Sequence, residues 1–183
     1  MDTRLTIITN GGPMNGSPVL NIDKQKLFTY WAKAKAIGIT YGYGDKDPIL
    51  GTFPPDYKSI DCSGYVRTTL AYATAGQTNK LLGMPDGSWM EDTFFQTEGF
   101  RHHLIHSVAD YMSAIAKDNR IRLCFHKPNG RGGDPIGHAF FIILDTDGEI
   151  VSEESYGGNG PGSRPWDHLW FMDHCDDVYV LTD

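Results

Sequence analysis

Hydrophobic positions recur with two different periods along this chain, and the change from one to the other near residue 120 predicts its architecture. Over 23–37, Leu27, Phe28, Trp31 and Ala34 fall at helical spacing behind Asn21 and Asp23, both suited to capping a helix start, and Gly38 is a natural stop. A second helix is expected over 63–75, ended by Gly76. A third is expected over 104–118, where Ile105, Val108, Tyr111, Met112 and Ile115 form one stripe. The stretches 40–60 and 77–100 read as loops. Beyond Arg120 the pattern turns to alternation and short apolar runs, which predicts strands over 121–125, 138–144, 149–153 and 177–181. Their short connections favour antiparallel pairing. Helices followed by a small antiparallel sheet make an α+β domain.

Composition narrows this picture. A chain of 183 residues suits one domain, 1–183, with 1–20 as an N-terminal extension. A hydrophobic fraction of 40% and a charged fraction of 21% are those of a folded globular protein. The formal charge of −7 argues against unspecific binding to nucleic acid or to an anionic membrane surface. No apolar run reaches the length of about 18 residues that spans a bilayer. Residues 1–10 lack the basic stretch and apolar core of a secretory signal, so the expectation is export by another route, action after lysis, or a signal absent from this sequence.

The chain has three cysteines, and their spacing fits no zinc pattern; neither a metal nor another cofactor is implied. Cys124 lies in the apolar run 121–125 and Cys175 follows His174; both read as structural. Cys62 differs. It stands in Asp61-Cys62-Ser63-Gly64, after an irregular loop and directly before the second helix. Free N–H groups and the positive end of the helix dipole favour thiolate over thiol at such a position, and thiolate is the nucleophile that amide hydrolysis needs. Asp61 and Ser63 also have a plainer reading as helix caps.

A thiolate nucleophile calls for a base. Of seven histidines, His138 is the candidate, because it opens the otherwise apolar strand 138–144 at a sheet edge, where a cleft can form. A third group should orient the imidazole. If 145–148 is a four-residue loop, or Asp147-Gly148 a two-residue turn, Glu153 falls on the side of His138, and Glu153 is the expected partner. A loop of odd length presents Ser152 or Glu154 instead.

Asp61-Cys62-Ser63-Gly64 before a helix, Gly137-His138 opening an apolar strand, a polar residue on the next strand and Tyr41-Gly42-Tyr43-Gly44 upstream together resemble the NlpC-type cell-wall cysteine peptidases. The resemblance implies a papain-like fold, with the cysteine-bearing helix packed on a small antiparallel sheet. It also implies cleavage of a peptide or amide bond in bacterial peptidoglycan stem peptides. By it, Tyr41 and the Cys62 backbone N–H line the oxyanion site, and Asp61 and Ser63 contact substrate. Thr93, Gln96 and Gly99 are similar to the segment that follows the family's cysteine helix. An acidic residue such as Glu153 in third place, followed by Ser155, is similar to the CHAP amidases.

Other features carry less. His102, His103 and His106 lack a nearby carboxylate or cysteine to complete a metal set and read as a solvated helix start. The glycine-rich run 157–162 has no Lys-Ser/Thr pair or helix after it, so it reads as a flexible loop beside the cleft rather than a phosphate cradle. Trp166, Trp170 and Phe171 read as packing residues. Two competing functions keep the same residues: a Cys–His acyltransferase or deamidase, and a non-catalytic binding domain in which Cys62 only packs.

Overall fold

The computed structural model describes residues 4–7, 22–76, 121–165 and 175–182. Helix α1 spans Lys24–Ala36. Its N-cap is Asp23, whose carboxylate accepts the Lys26 N–H at 3.1 Å. Leu27, Tyr30, Trp31 and Ala34 form its buried face, at the i, i+3, i+4, i+7 spacing of an amphipathic helix. Phe28, expected on that face, is instead 38% exposed. Gly38 ends the helix with φ of +71°, a conformation that costs glycine little.

Helix α2 spans Cys62–Ala73, and all but one of its residues are buried. It closes through Gly76, in the left-handed region at φ +84°, whose N–H donates to Ala71 O at 2.9 Å. The expected third helix over 104–118 lies outside the described residues, as do Thr93, Gln96, Gly99, the three histidines at 102–106 and the aromatics at 166–171. Among the described residues no helix is long and apolar enough to cross a membrane.

Nine strands are described: β1 Arg4–Ile7, β2 Ile22–Asp23, β3 Thr40–Tyr41, β4 Ser59–Ile60, β5 Ile121–His126, β6 His138–Leu144, β7 Ile150–Tyr156, β8 Gly160–Pro165 and β9 Asp177–Thr182. Seven form one sheet in the order β2-β1-β9-β5-β6-β7-β8, with every pairing antiparallel. β3 and β4 form a separate parallel pair. The domain is thus α+β, as expected.

Two strands lie where the sequence pattern gives none. Within residues 1–20, read as an N-terminal extension, Arg4–Ile7 is a strand of the sheet, lying between β2 and β9. The glycine-rich run 157–162, read as a flexible loop, is in part strand, since Gly160–Pro165 pairs with β7 along its whole length. Its two prolines are tolerated because β8 is an edge strand, with one side of its backbone free of the ladder.

The main core lies between the helices and one face of the sheet. Leu27, Trp31, Tyr65, Val66 and Leu70 pack there against Leu123, Phe125, Phe141 and Tyr179, and the Trp31 and Phe141 rings meet at 5.1 Å between centroids. Full burial of one such side chain is worth roughly 1.5–3 kcal/mol. A smaller cluster, Cys124, Phe140, Ile142, Cys175 and Val178, lies on the opposite face. Adjacent residues of β6 and β7 therefore address different environments, and this alternation decides which carboxylate meets His138.

Candidate active site

Cys62 is the first residue of α2, so its backbone N–H is among those with no partner inside the helix. The preceding residue, Asp61, is the N-cap and accepts the Gly64 N–H at 2.8 Å. Its other oxygen accepts the Gly44 N–H at 3.2 Å and pairs with Lys46, whose ammonium also donates to Ser63 Oγ at 2.9 Å. Gly64 suits this closeness, because a Cβ there would stand 2.8 Å from Lys46 Cδ and 3.0 Å from Asp45 O, so the neighbours would have to shift. The cap and the loop before it are therefore locked together under the cysteine.

Asp61 and Ser63, which the resemblance assigns to substrate contact, are 7% and 2% exposed and are engaged with the protein itself at the helix start.

His138, the first residue of β6, lies within hydrogen-bonding reach of the Cys62 sulfur. Its Nε2 meets Glu154 Oε2 at 2.5 Å, which leaves Nδ1 as the ring nitrogen available to the sulfur. Burial disfavours the charged imidazole, but Cys62 and the Glu154 carboxylate outweigh it and push the His138 pKa up to about 10. Glu154 shows the reciprocal effect. Burial raises its pKa, but His138, Arg164 and Ser152 together hold it down at about 2. Ser152 Oγ donates to Glu154 Oε1, and Arg164 grips both oxygens, Nε to Oε1 at 2.7 Å and Nη2 to Oε2 at 2.8 Å.

Glu153, the expected partner of His138, is on the other face. It pairs with Phe141, packs toward the helices, and accepts the Tyr65 hydroxyl at 2.9 Å and the Ser163 hydroxyl at 2.8 Å. Lys35 Nζ lies 2.5 Å from it. The reason is the hairpin loop. Asp145 N–H donates to Glu149 O at 2.9 Å, and Gly148 N–H to Asp145 O at 3.1 Å, with Gly148 at φ +79°. The loop thus has three residues, a hydrogen-bonded turn closed by a left-handed glycine, rather than two or four. Asp145 Oδ1 fixes it further by accepting the N–H groups of Asp147 and Glu149. An odd loop exchanges the faces, and Glu154 takes the position by His138.

Tyr41, the last residue of β3, pairs with Ile60 of β4 just before the cysteine helix. Partial burial, then the nearby Cys62, Asp61 and Tyr43, push its hydroxyl up to about 12, so it remains a neutral donor around neutrality. β7 is tied to the same place, for Ser155 Oγ donates to Ile60 O at 2.7 Å.

Cys124 and Cys175, also free thiols, are buried in the apolar cluster of the far face, where burial pushes the Cys175 thiol well up. Among the described residues no group of three or more His, Cys, Asp or Glu side chains is arranged to hold a metal ion. Arg164 and Ser152 were not foreseen as partners of a carboxylate. The only sequence signal for them was the Asp-x-Asp-Gly loop, whose length sets the register. No protein-family model matches this chain, and comparison with curated proteins gives no match.

Proposed function

We propose that the chain is a papain-like cysteine hydrolase that cleaves a peptide or amide bond in bacterial peptidoglycan stem peptides. The observation that carries the reading is the Cys62–His138–Glu154 chain. A helix-start sulfur, an imidazole in reach of it and a buried carboxylate on the far ring nitrogen are the three parts of a nucleophile–base–orienter site. The cell-wall substrate is taken from the resemblance of Asp61-Cys62-Ser63-Gly64 and Tyr41-Gly42-Tyr43-Gly44 to the NlpC-type enzymes. An acidic third group, here Glu154, is closer to the CHAP amidases.

In this mechanism the Cys62 sulfur attacks the carbonyl carbon, and the oxyanion is met by the Cys62 backbone N–H and the Tyr41 hydroxyl. His138, charged through its pairing with Glu154, gives its proton to the leaving amine as the thioester forms. Water then attacks the thioester with His138 as base, releasing the acid and the free sulfur. Glu154 keeps Nε2 occupied, so that Nδ1 faces the sulfur throughout.

The test is mass spectrometry of purified peptidoglycan incubated with the protein and with Cys62→Ala. New fragments with the first sample alone, carrying one added water per cut, are expected. Fragments from neither sample contradict the hydrolase reading, and products carrying a transferred acyl group favour a transferase.

A further inference from the structure

We infer that Arg164, on the edge strand β8, is a positioning residue for the reaction: it fixes Glu154 in the orientation in which that carboxylate holds His138. This rests on the functional reading above. The Glu154 side chain is fully buried, so water does not stabilise its charge, and its oxygens depend on protein partners. A carboxylate bonded to an imidazole alone keeps its rotational freedom. The planar guanidinium fork removes it by engaging both oxygens, at 2.7 and 2.8 Å, and one of these is the same Oε2 that meets His138 Nε2.

The fork is itself held. Its central carbon lies 4.4 Å from the centroid of the Tyr156 ring, two residues along β7 from Glu154. β8 is braced from two further sides. Gly160 packs against the strand that carries Tyr41, where a Cβ would stand 2.3 Å from Ile39 O, and Ser163 Oγ accepts from Lys35 Nζ of α1 at 2.9 Å. One edge strand thus connects the orienter of the imidazole with the backbone of the oxyanion side. The groups facing Glu154 are His138 from β6, Arg164 from β8 and Ser152 from its own strand, with Cys62 of α2 beyond the imidazole.

Two readouts on the full chain test this: the rate of Cys62 alkylation by iodoacetamide at pH 6, and the downfield proton NMR signal of His138 Nε2–H. Arg164→Gln is expected to slow alkylation roughly 10- to 100-fold, the scale of a small misplacement in an active site, and to broaden or remove the proton signal. Arg164→Lys keeps the charge without the fork and should recover only part of the rate. In a Glu154→Gln background, Arg164→Gln should add less than about a twofold change, because the residue acts through the carboxylate.

A folded Arg164→Gln protein with the parent rate and the parent signal overturns the proposal, as does an equal loss in both backgrounds. If Arg164→Gln does not fold, Arg164→Lys decides: slowed alkylation supports the clamp and an unchanged rate overturns it. A parent Cys62 that alkylates no faster than in His138→Ala sinks the hydrolase reading instead, while the proton signal still reports on Arg164.

Discussion

Glu153 and Glu154 are neighbours on one strand, both buried and both bonded to a cation, yet the sheet assigns them to different work. Glu153 faces the helices, where Tyr65, Lys35 and Ser163 tie α1, α2 and β8 to the sheet. Glu154 faces the other way, where His138, Arg164 and Ser152 surround it and the imidazole reaches on to Cys62. What separates them is neither burial nor charge but parity along the strand. In the proposed site a buried carboxylate can orient the imidazole only where its register places it on the ring nitrogen, and elsewhere the same chemistry serves as a tie.

The sharpest way to break the comparison is to neutralise each glutamate without changing its shape. Glu154→Gln should cut kcat by roughly 10²- to 10⁴-fold, the range seen when a triad loses its orienting carboxylate, with the fold retained in circular dichroism. It should also move the alkaline limb of the rate profile to lower pH, because the anion that helps hold His138 charged is gone. Next in size, Tyr41→Phe should lower kcat by roughly 10²-fold while leaving the melting temperature in place, as removal of an oxyanion donor does.

Glu153→Gln should do the reverse of Glu154→Gln. Turnover should stay near the parent's while denaturant titration shows a loss of about 1–2 kcal/mol. This figure reflects a weakened Tyr65 bond and is discounted because Lys35 is 37% exposed.

The two faces also differ in the pH dependence of stability. His138 is raised to about 10 from 6.5, so its contribution is complete below 6.5 and is lost as the pH climbs toward 10. Glu154 is lowered to about 2 from 4.5, so its contribution is present above 4.5 and is lost as the pH falls toward 2. Melting temperatures across pH should therefore sag on both sides of the 4.5–6.5 window, and the sag should flatten in Glu154→Gln.

Much of the frame was legible in the sequence. The periodicity of Leu27, Trp31 and Ala34 reports a helix face, and 138–144 reads as a strand because six apolar residues follow one histidine. Cys62 and His138 stand at element starts, where local pattern speaks clearly. Strand β8 was not legible, since Gly160-Pro161-Gly162-Ser163-Arg164-Pro165 carries turn residues and becomes a strand only because β7 offers it a ladder. The choice between Glu153 and Glu154 depended on one residue of loop length. Asp145-Thr146-Asp147-Gly148 accommodates more than one turn, and the bonds to Asp145 that select among them form only in the folded hairpin.

The most direct test of the account is the rate at which iodoacetamide alkylates Cys62 at pH 6, followed by mass spectrometry of the tryptic peptide, in the parent and in His138→Ala. The account predicts rapid modification of the parent and a loss of at least roughly tenfold without the imidazole, because unassisted thiols are almost wholly protonated at that pH. Equal rates in the two proteins would contradict it, leaving Cys62 a packed side chain with no base at its disposal.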